Sequence, residues 1–304
     1  MLRAGCFMLG SDRRIQAVLG LLPERIRREL EALPADIPAE EIRFRTGRPV
    51  QIVTAKGDLL AGSALSPGEA KALLGRLCGH SVYAREEELR LGFITLEGGL
   101  RVGVCGRPEV RGGRIAGLTE VSSFNIRLMR EAVGCAEGVM PLLTEGSRPL
   151  SCLIAAPPGG GKTTLLRDIA RCFSNGVGTP PRRVALADER GELAGCVGGE
   201  PSFEIGSRTD VMDLCPKAEA ISMLVRSMSP ELIVTDEIGG PEDAEAVAEA
   251  ARCGVAVIAS AHASSREEIL RRGSLERAVG SGAFSRLIML GRSGSRLSVS
   301  SFAL

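Results

Sequence analysis

The stretch Ala156-Pro157-Pro158-Gly159-Gly160-Gly161-Lys162-Thr163-Thr164 decides how this chain is read. It follows an apolar run, residues 151–155, and opens a segment in which Leu165, Leu166, Ile169 and Phe173 recur at helical spacing. Strand, glycine loop and helix in that order make a cradle for phosphate. The three glycines let the backbone wrap closely, and N–H groups at a helix N-terminus point at the anion. Lys162 reaches β- and γ-phosphates in such a loop, and the Thr163 hydroxyl suits Mg²⁺. The expected nucleotide set is Pro158, Gly159, Gly160, Gly161, Lys162, Thr163 and Thr164, with ATP and Mg²⁺ as the ligands. A glycine turn alone would be a weak signal; here lysine, threonine and both flanking elements agree. Ala156 departs from the pattern, which has glycine there. If that position needs a glycine-only backbone angle, alanine costs about 1–2 kcal/mol and reduces affinity. Tolerance is expected, because Gly159 to Gly161 lie nearest the phosphates.

Working outward, residues 184–187, 232–235 and 255–259 are continuous apolar runs, the mark of parallel strands buried on both faces. Helical stretches at 217–228 and 241–252 separate them. The alternation predicts an α/β domain with a mainly parallel sheet covered by helices. Upstream the texture differs. Residues 15–33 read as one helix, 41–45 and 49–53 as strands joined at Gly47, 67–77 as a helix, and 93–96 with 100–104 as a hairpin. That is a smaller α+β domain. The expected division is 1–134 for the N-terminal domain, 135–150 for a Gly/Pro-containing linker and 151–304 for the nucleotide domain.

Two strands end in adjacent carboxylates. Asp236 and Glu237 close the run 232–235, where Asp236 suits Mg²⁺ and Glu237 can activate water. Asp188 and Glu189 close the neighbouring run, and in a parallel sheet both pairs emerge at the carboxyl edge, where ligands bind. Glu189 therefore competes with Glu237 for the role of base. Glu237 is the expected principal base and Glu189 a supporting residue, because Glu189 precedes a segment (191–206) expected to be mobile. His262 follows the run 255–259 at the same edge and can sense the γ-phosphate. Arg208 and Arg226 are the candidate cations for developing charge, acting across a subunit boundary.

Composition narrows the partners. Lysine plus arginine (38) balances aspartate plus glutamate (37), and there is no Trp and a single Tyr. Neither a basic excess nor aromatic stacking platforms are present, so no nucleic-acid partner is expected. Nine scattered cysteines without a CxxC pair read as reduced, small core residues. No apolar run approaches the roughly 18 residues of a membrane span, and the opening ten residues are too soon charged for a signal peptide.

The stretch Gly206-Ser207-Arg208-Thr209-Asp210-Val211-Met212-Asp213-Leu214-Cys215-Pro216-Lys217 and the stretch from Arg226 through Gly239 resemble the stage III sporulation protein AA family. So do Glu41–Pro49, Ser81–Leu89, Gly103–Arg107 and Ser122–Arg127 in the first half. That family is similar to the motor ATPases of pilus retraction and of type II and type IV secretion. The resemblance implies a RecA-like P-loop NTPase core and a homohexameric ring. It places an acidic box at Asp188-Glu189 and a histidine box at His262. The implied role is an ATPase in the mother-cell cytoplasm that energises a channel to the forespore. It would be held at the membrane through the membrane proteins of that channel, with no insertion of its own. The alternatives are a RecA-like nucleic-acid-binding ATPase and a nucleotide-gated scaffold with little turnover.

Overall fold

The computed structural model describes residues 13–34, 37, 39–54, 56–82, 85–111, 114–128, 131–271, 273–293 and 296–304. The opening ten residues and Tyr83, both used above, lie outside them. The described chain divides into two compact units. One runs to Glu131 and includes Gly195–Ser202; the other joins Ala132–Ala194 to Phe203–Leu304.

In the first unit the single helix expected over 15–33 is two helices, α1 (Arg13–Leu21) and α2 (Glu24–Glu31). Pro23 causes the break: it sits at the N-cap of α2 with φ −57° and ψ 137°. It has no N–H to continue α1, and its ring excludes a helical predecessor. Ile15, Val18, Leu19, Ile26 and Leu30 nevertheless share one core. They pack against a six-stranded sheet of β1 (Ala39–Arg45), β2 (Arg48–Thr54), β3 (Gly57–Ala61), β4 (Phe93–Thr95), β5 (Arg101–Arg111) and β6 (Arg114–Arg127). The order is β3-β2-β1-β6-β5-β4, with antiparallel neighbours throughout. Helices α3 (Pro67–Leu77) and α4 (Glu86–Arg90) complete the unit. α3 opens on a capping box: Ser66 Oγ accepts from the Glu69 N–H, and the Glu69 carboxylate accepts from the Ser66 N–H at 2.8 Å.

The second unit begins with a small pair, β7 (Thr144–Glu145) and β8 (Arg148–Pro149). Its main sheet is built from β9 (Cys152–Ala156), β10 (Val184–Asp188), β11 (Thr209–Asp213), β12 (Leu232–Glu237), β13 (Ala256–His262), β14 (Arg286–Ser293) and β15 (Arg296–Ala303). The order is β11-β10-β12-β13-β9-β14-β15, parallel except for the last pair. Helices α5 (Lys162–Asn175), α6 (Lys217–Met228), α7 (Pro241–Arg252), α8 (Arg266–Arg271) and α9 (Gly273–Gly280) link the strands. β9, β10 and β13 carry Ala, Val, Leu and Ile that are wholly buried, as strands covered on both faces require.

Two features of this order position the site. β13 lies between β9 and β12, so the residue ending β13 is interposed between the glycine loop and the acidic end of β12. β12 also advances three residues, Val234 to Glu237, while β13 advances two, Ile258 to Ser260. This irregularity takes in Thr235 and Asp236, and such bulges re-aim side chains at strand ends.

Candidate functional site

The glycine loop joins β9 to α5. Gly159 and Gly161 have φ of 72° and 82°, a left-handed backbone in which a side chain is strained. Gly160 is held for a different reason. A Cβ there would lie 2.7 Å from the Ala156 Cβ and 2.9 Å from the Pro157 carbonyl oxygen. Ala156 itself is the last residue of β9 and is not among the positive-φ residues. The position does not need a glycine-only angle, and alanine is accommodated as expected; its methyl group takes the space that Gly160 leaves open.

Lys162 starts α5 and is 7% exposed. Its ammonium donates to the carbonyl oxygens of Ala156 (2.9 Å) and Pro157 (3.2 Å), and lies 2.8 Å from His262 Nδ1. Burial pushes its pKa down, and the Glu237 carboxylate opposes that shift. The other imidazole nitrogen, His262 Nε2, is 3.2 Å from Glu237 Oε2. An ammonium has only donors, so Nδ1 accepts and the proton sits on Nε2, facing the carboxylate. Lys162, His262 and Glu237 thus form one continuous chain. Arg190 adds a second cation 3.7 Å from the same Glu237 oxygen.

The two acidic pairs differ in environment. Asp188 is wholly buried, and its carboxylate accepts the N–H groups of Glu192 (2.9 Å), Leu193 (3.0 Å) and Ala194 (2.8 Å). Burial still raises its pKa, those three bonds pull it down, and the nearby Asp236 charge adds to the rise. Arg167, on α5, closes the same turn from the other side by donating to the carbonyls of Glu192 (2.7 Å) and Leu193 (2.8 Å). Its guanidinium stacks 3.4 Å over the Phe203 ring. The start of the segment expected to be mobile is therefore pinned at 192–194, and Gly195–Ser202 belongs with the first unit, where Gly98 N–H donates to Cys196 O at 2.6 Å.

Asp236 is 5% exposed, with its pKa raised by burial and pulled down by Lys217. Lys217, the first residue of α6, is 3% exposed. Its Nζ is 2.8 Å from Asp236 Oδ1 and 3.4 Å from Glu189 Oε2, and it donates to the Glu237 carbonyl. Lys217 ends the stretch 206–217 that carries the family resemblance, and its spacing alone assigns it no role. One local signal was available, since a lysine in the first turn of a helix opposes the helix dipole and needs anions nearby.

The structure thus brings Lys162, His262, Glu237, Asp236 and Glu189 to the carboxyl edge of one sheet. It does not bring Arg208 and Arg226 there. Arg208 directly precedes β11 and donates to the Ser174 carbonyl (3.0 Å) near the far end of α5, roughly 20 Å from its start. Arg226 lies in the last turn of α6, at the end away from Lys217. Neither can reach the glycine loop of its own chain.

The residues fit a nucleoside triphosphate with a hard divalent cation. The first N–H groups of α5 have no partner within the helix and face the loop. The Lys162 ammonium rests on neutral acceptors, which a phosphate can replace. Among the described residues no three His, Cys, Asp or Glu side chains converge as a metal cage. Thr163 and Asp236 would supply protein oxygens, with water and phosphate completing the shell, as is usual for Mg²⁺.

The fold is similar to that of RecA-like secretion ATPases. The X-ray structure of the ATPase DotB from Legionella pneumophila matches with a TM-score of 0.57 at 17% identity, covering 87% of this chain and 77% of that one. The pilus retraction motor PilT with bound ADP gives 0.59 at 16% identity over 91% and 81%. At such identities the likeness is one of fold. Sequence goes further: the family described as "Sporulation stage III, protein AA" matches residues 12–301. The chain is 42% identical over 275 residues to "Stage III sporulation protein AA" of Bacillus subtilis (strain 168), covering 90% of this chain and 89% of that protein. The chain belongs to the stage III sporulation protein AA family. A shorter match, 30% identical over 172 residues, covers 56% of this chain and 48% of the uncharacterized protein ycf45 of Cyanidium caldarium.

Proposed function

We propose that this protein is an ATP-hydrolysing motor that works as a homohexameric ring and energises a sporulation channel between mother cell and forespore. The observation that carries the reading is the unbroken chain from Lys162 through His262 to Glu237 at the mouth of the glycine loop. It couples the residue that meets phosphate to the carboxylate best suited to take a proton from water. Glu237 is the base, held by the His262 N–H and by Arg190. Lys162 leaves its carbonyl acceptors for phosphate, and His262 registers that change because it loses the ammonium on Nδ1. Asp236 and Thr163 hold Mg²⁺, which offsets charge on the phosphates. Pro158, Gly159, Gly160, Gly161 and Thr164 shape the rest of the cradle. Glu189 supports from the adjacent strand.

Arg208 and Arg226 serve a neighbouring subunit if they meet nucleotide at all, since both lie at the opposite edge of their own sheet. The names of the DotB and PilT structures, an ATPase and a retraction motor, fit the motor reading. Among the described residues no helix is long and apolar enough to cross a membrane. In this reading the protein works from the mother-cell cytoplasm and reaches the membrane through channel proteins.

The test is the mass of the full chain in solution with and without Mg-ATP, combined with nucleotide binding by Lys162→Ala. A nucleotide-stabilised hexamer, and a folded variant that no longer binds ATP, are expected. A monomer under all conditions, or wild-type affinity in Lys162→Ala, would overturn the reading.

A further inference from the structure

Lys217 sits where local rules disfavour a lysine. It is 3% exposed, and lysine is seldom buried without a partner. It occupies the first position of α6, where a positive charge meets the positive end of the helix dipole, and the preceding Pro216 provides no side-chain cap. What offsets this is a set of acceptors drawn from two strands: Asp236 Oδ1 at 2.8 Å and the Glu237 carbonyl on β12, and Glu189 Oε2 at 3.4 Å just past β10. The ammonium therefore ties together the ends of the two strands that carry the acidic pairs. Arg190 is a further cation bordering the cluster, through Glu237.

We propose that Lys217 is the resident counter-ion of this acid cluster, a positioning residue that holds Asp236 and Glu189 and sets how strongly nucleotide binding depends on a divalent cation. The inference rests on the nucleotide-binding reading above. Its physical basis is charge balance. Glu189, Asp236 and Glu237 stand at one edge, and a polyphosphate approaching without metal adds to the same sign. Lys217 offsets part of that charge in every state of the site, whereas Mg²⁺ does so only when it accompanies the nucleotide. Removing the ammonium should therefore penalise metal-free nucleotide far more than the Mg²⁺ complex. A residue that merely fills space would weaken both alike.

The experiment measures ATP affinity of the full chain by calorimetry, once with Mg²⁺ and once with excess EDTA. For Lys217→Met, metal-free affinity should fall about tenfold or more while Mg-ATP affinity stays within about threefold of wild type. Lys217→Arg keeps the charge, and Lys217→Met combined with Glu189→Gln restores the balance; both should hold the wild-type ratio of the two affinities. Equal losses in both conditions for Lys217→Met, or no loss in either, would overturn the proposal. Should that single variant fail to fold, Lys217→Gln, which also removes the charge, takes its place: a metal-free affinity that falls about tenfold with Mg-ATP affinity within about threefold supports the proposal, and an unshifted ratio overturns it. If wild-type protein binds ATP in neither condition, the nucleotide reading has failed, which is a separate outcome.

Discussion

The dipeptide Asp-Glu ends two adjacent strands of one sheet, and the two copies are employed in opposite ways. At the end of β10, Asp188 turns inward and its oxygens accept from three backbone N–H groups, fixing the turn that follows. At the end of β12, Asp236 faces Lys217, a side chain rather than the backbone, while Glu237 faces His262 and Arg190. Asp188 builds the edge, whereas Asp236 and Glu237 meet charged side chains there, with Glu189 on the same Lys217. The difference lies outside the dipeptides. The turn after Asp188 folds back so that its N–H groups point at the carboxylate, with Arg167 holding its carbonyls. In β12 the register is irregular between Val234 and Glu237, and the Asp236 carboxylate there meets Lys217 of α6 instead.

The largest expected effect tests the structural half of this contrast. Asp188→Ala strands three N–H groups, two of them on buried residues, and should cost about 3 kcal/mol or more of stability in urea unfolding. A loss below about 1 kcal/mol would mean that the Asp188 carboxylate does not fix the turn that follows it.

The smallest concerns a carboxylate of the opposite kind. Glu69 caps α3, accepts from Arg25 at 2.8 Å and from Ser66, and these bonds hold its pKa at about 2, whereas burial raises both aspartates at the sheet edge. Its lowered pKa means that its stabilisation is present above the ordinary value of 4.5 and is lost as pH falls towards 2. Because the pair is partly exposed, Glu69→Gln should cost less than about 1 kcal/mol at neutral pH and flatten the acid limb of the stability curve in that window. An acid limb unchanged in the variant would contradict the assignment.

What the sequence disclosed, and what it withheld, follows the same division. The glycine loop was legible because its chemistry is local: Lys162, Thr163 and the glycines are consecutive, between an apolar run and a helical one. The strands read at 184–187, 232–235 and 255–259 were legible because burial on both faces writes a continuous apolar run, although β13 runs on to His262 itself. β11 was not, since Thr209-Asp210-Val211-Met212-Asp213 is partly exposed and carries no such run. Pro23 was in plain view, yet the apolar spacing continues across it and suggested one helix. Lys217 and Arg167 were out of reach for another reason. Their partners lie at the ends of different strands or on a distant turn, and only the strand order brings them together. The tendency of the sheet to gather ligands at its carboxyl edge located the acidic pairs, but could not say which one the backbone would claim.

The account turns on Glu237 rather than Glu189 being the base, and single-turnover ATP hydrolysis by the two glutamine variants tests it directly. Glu237→Gln keeps size and hydrogen bonding but removes the basic carboxylate that His262 orients. It should bind ATP normally and lose about 10²-fold or more in rate. Glu189→Gln removes one contact to Lys217 and should fall by no more than about tenfold. If Glu189→Gln proves the more damaging change while Glu237→Gln remains active, the roles of the two acidic pairs are reversed and the account is wrong.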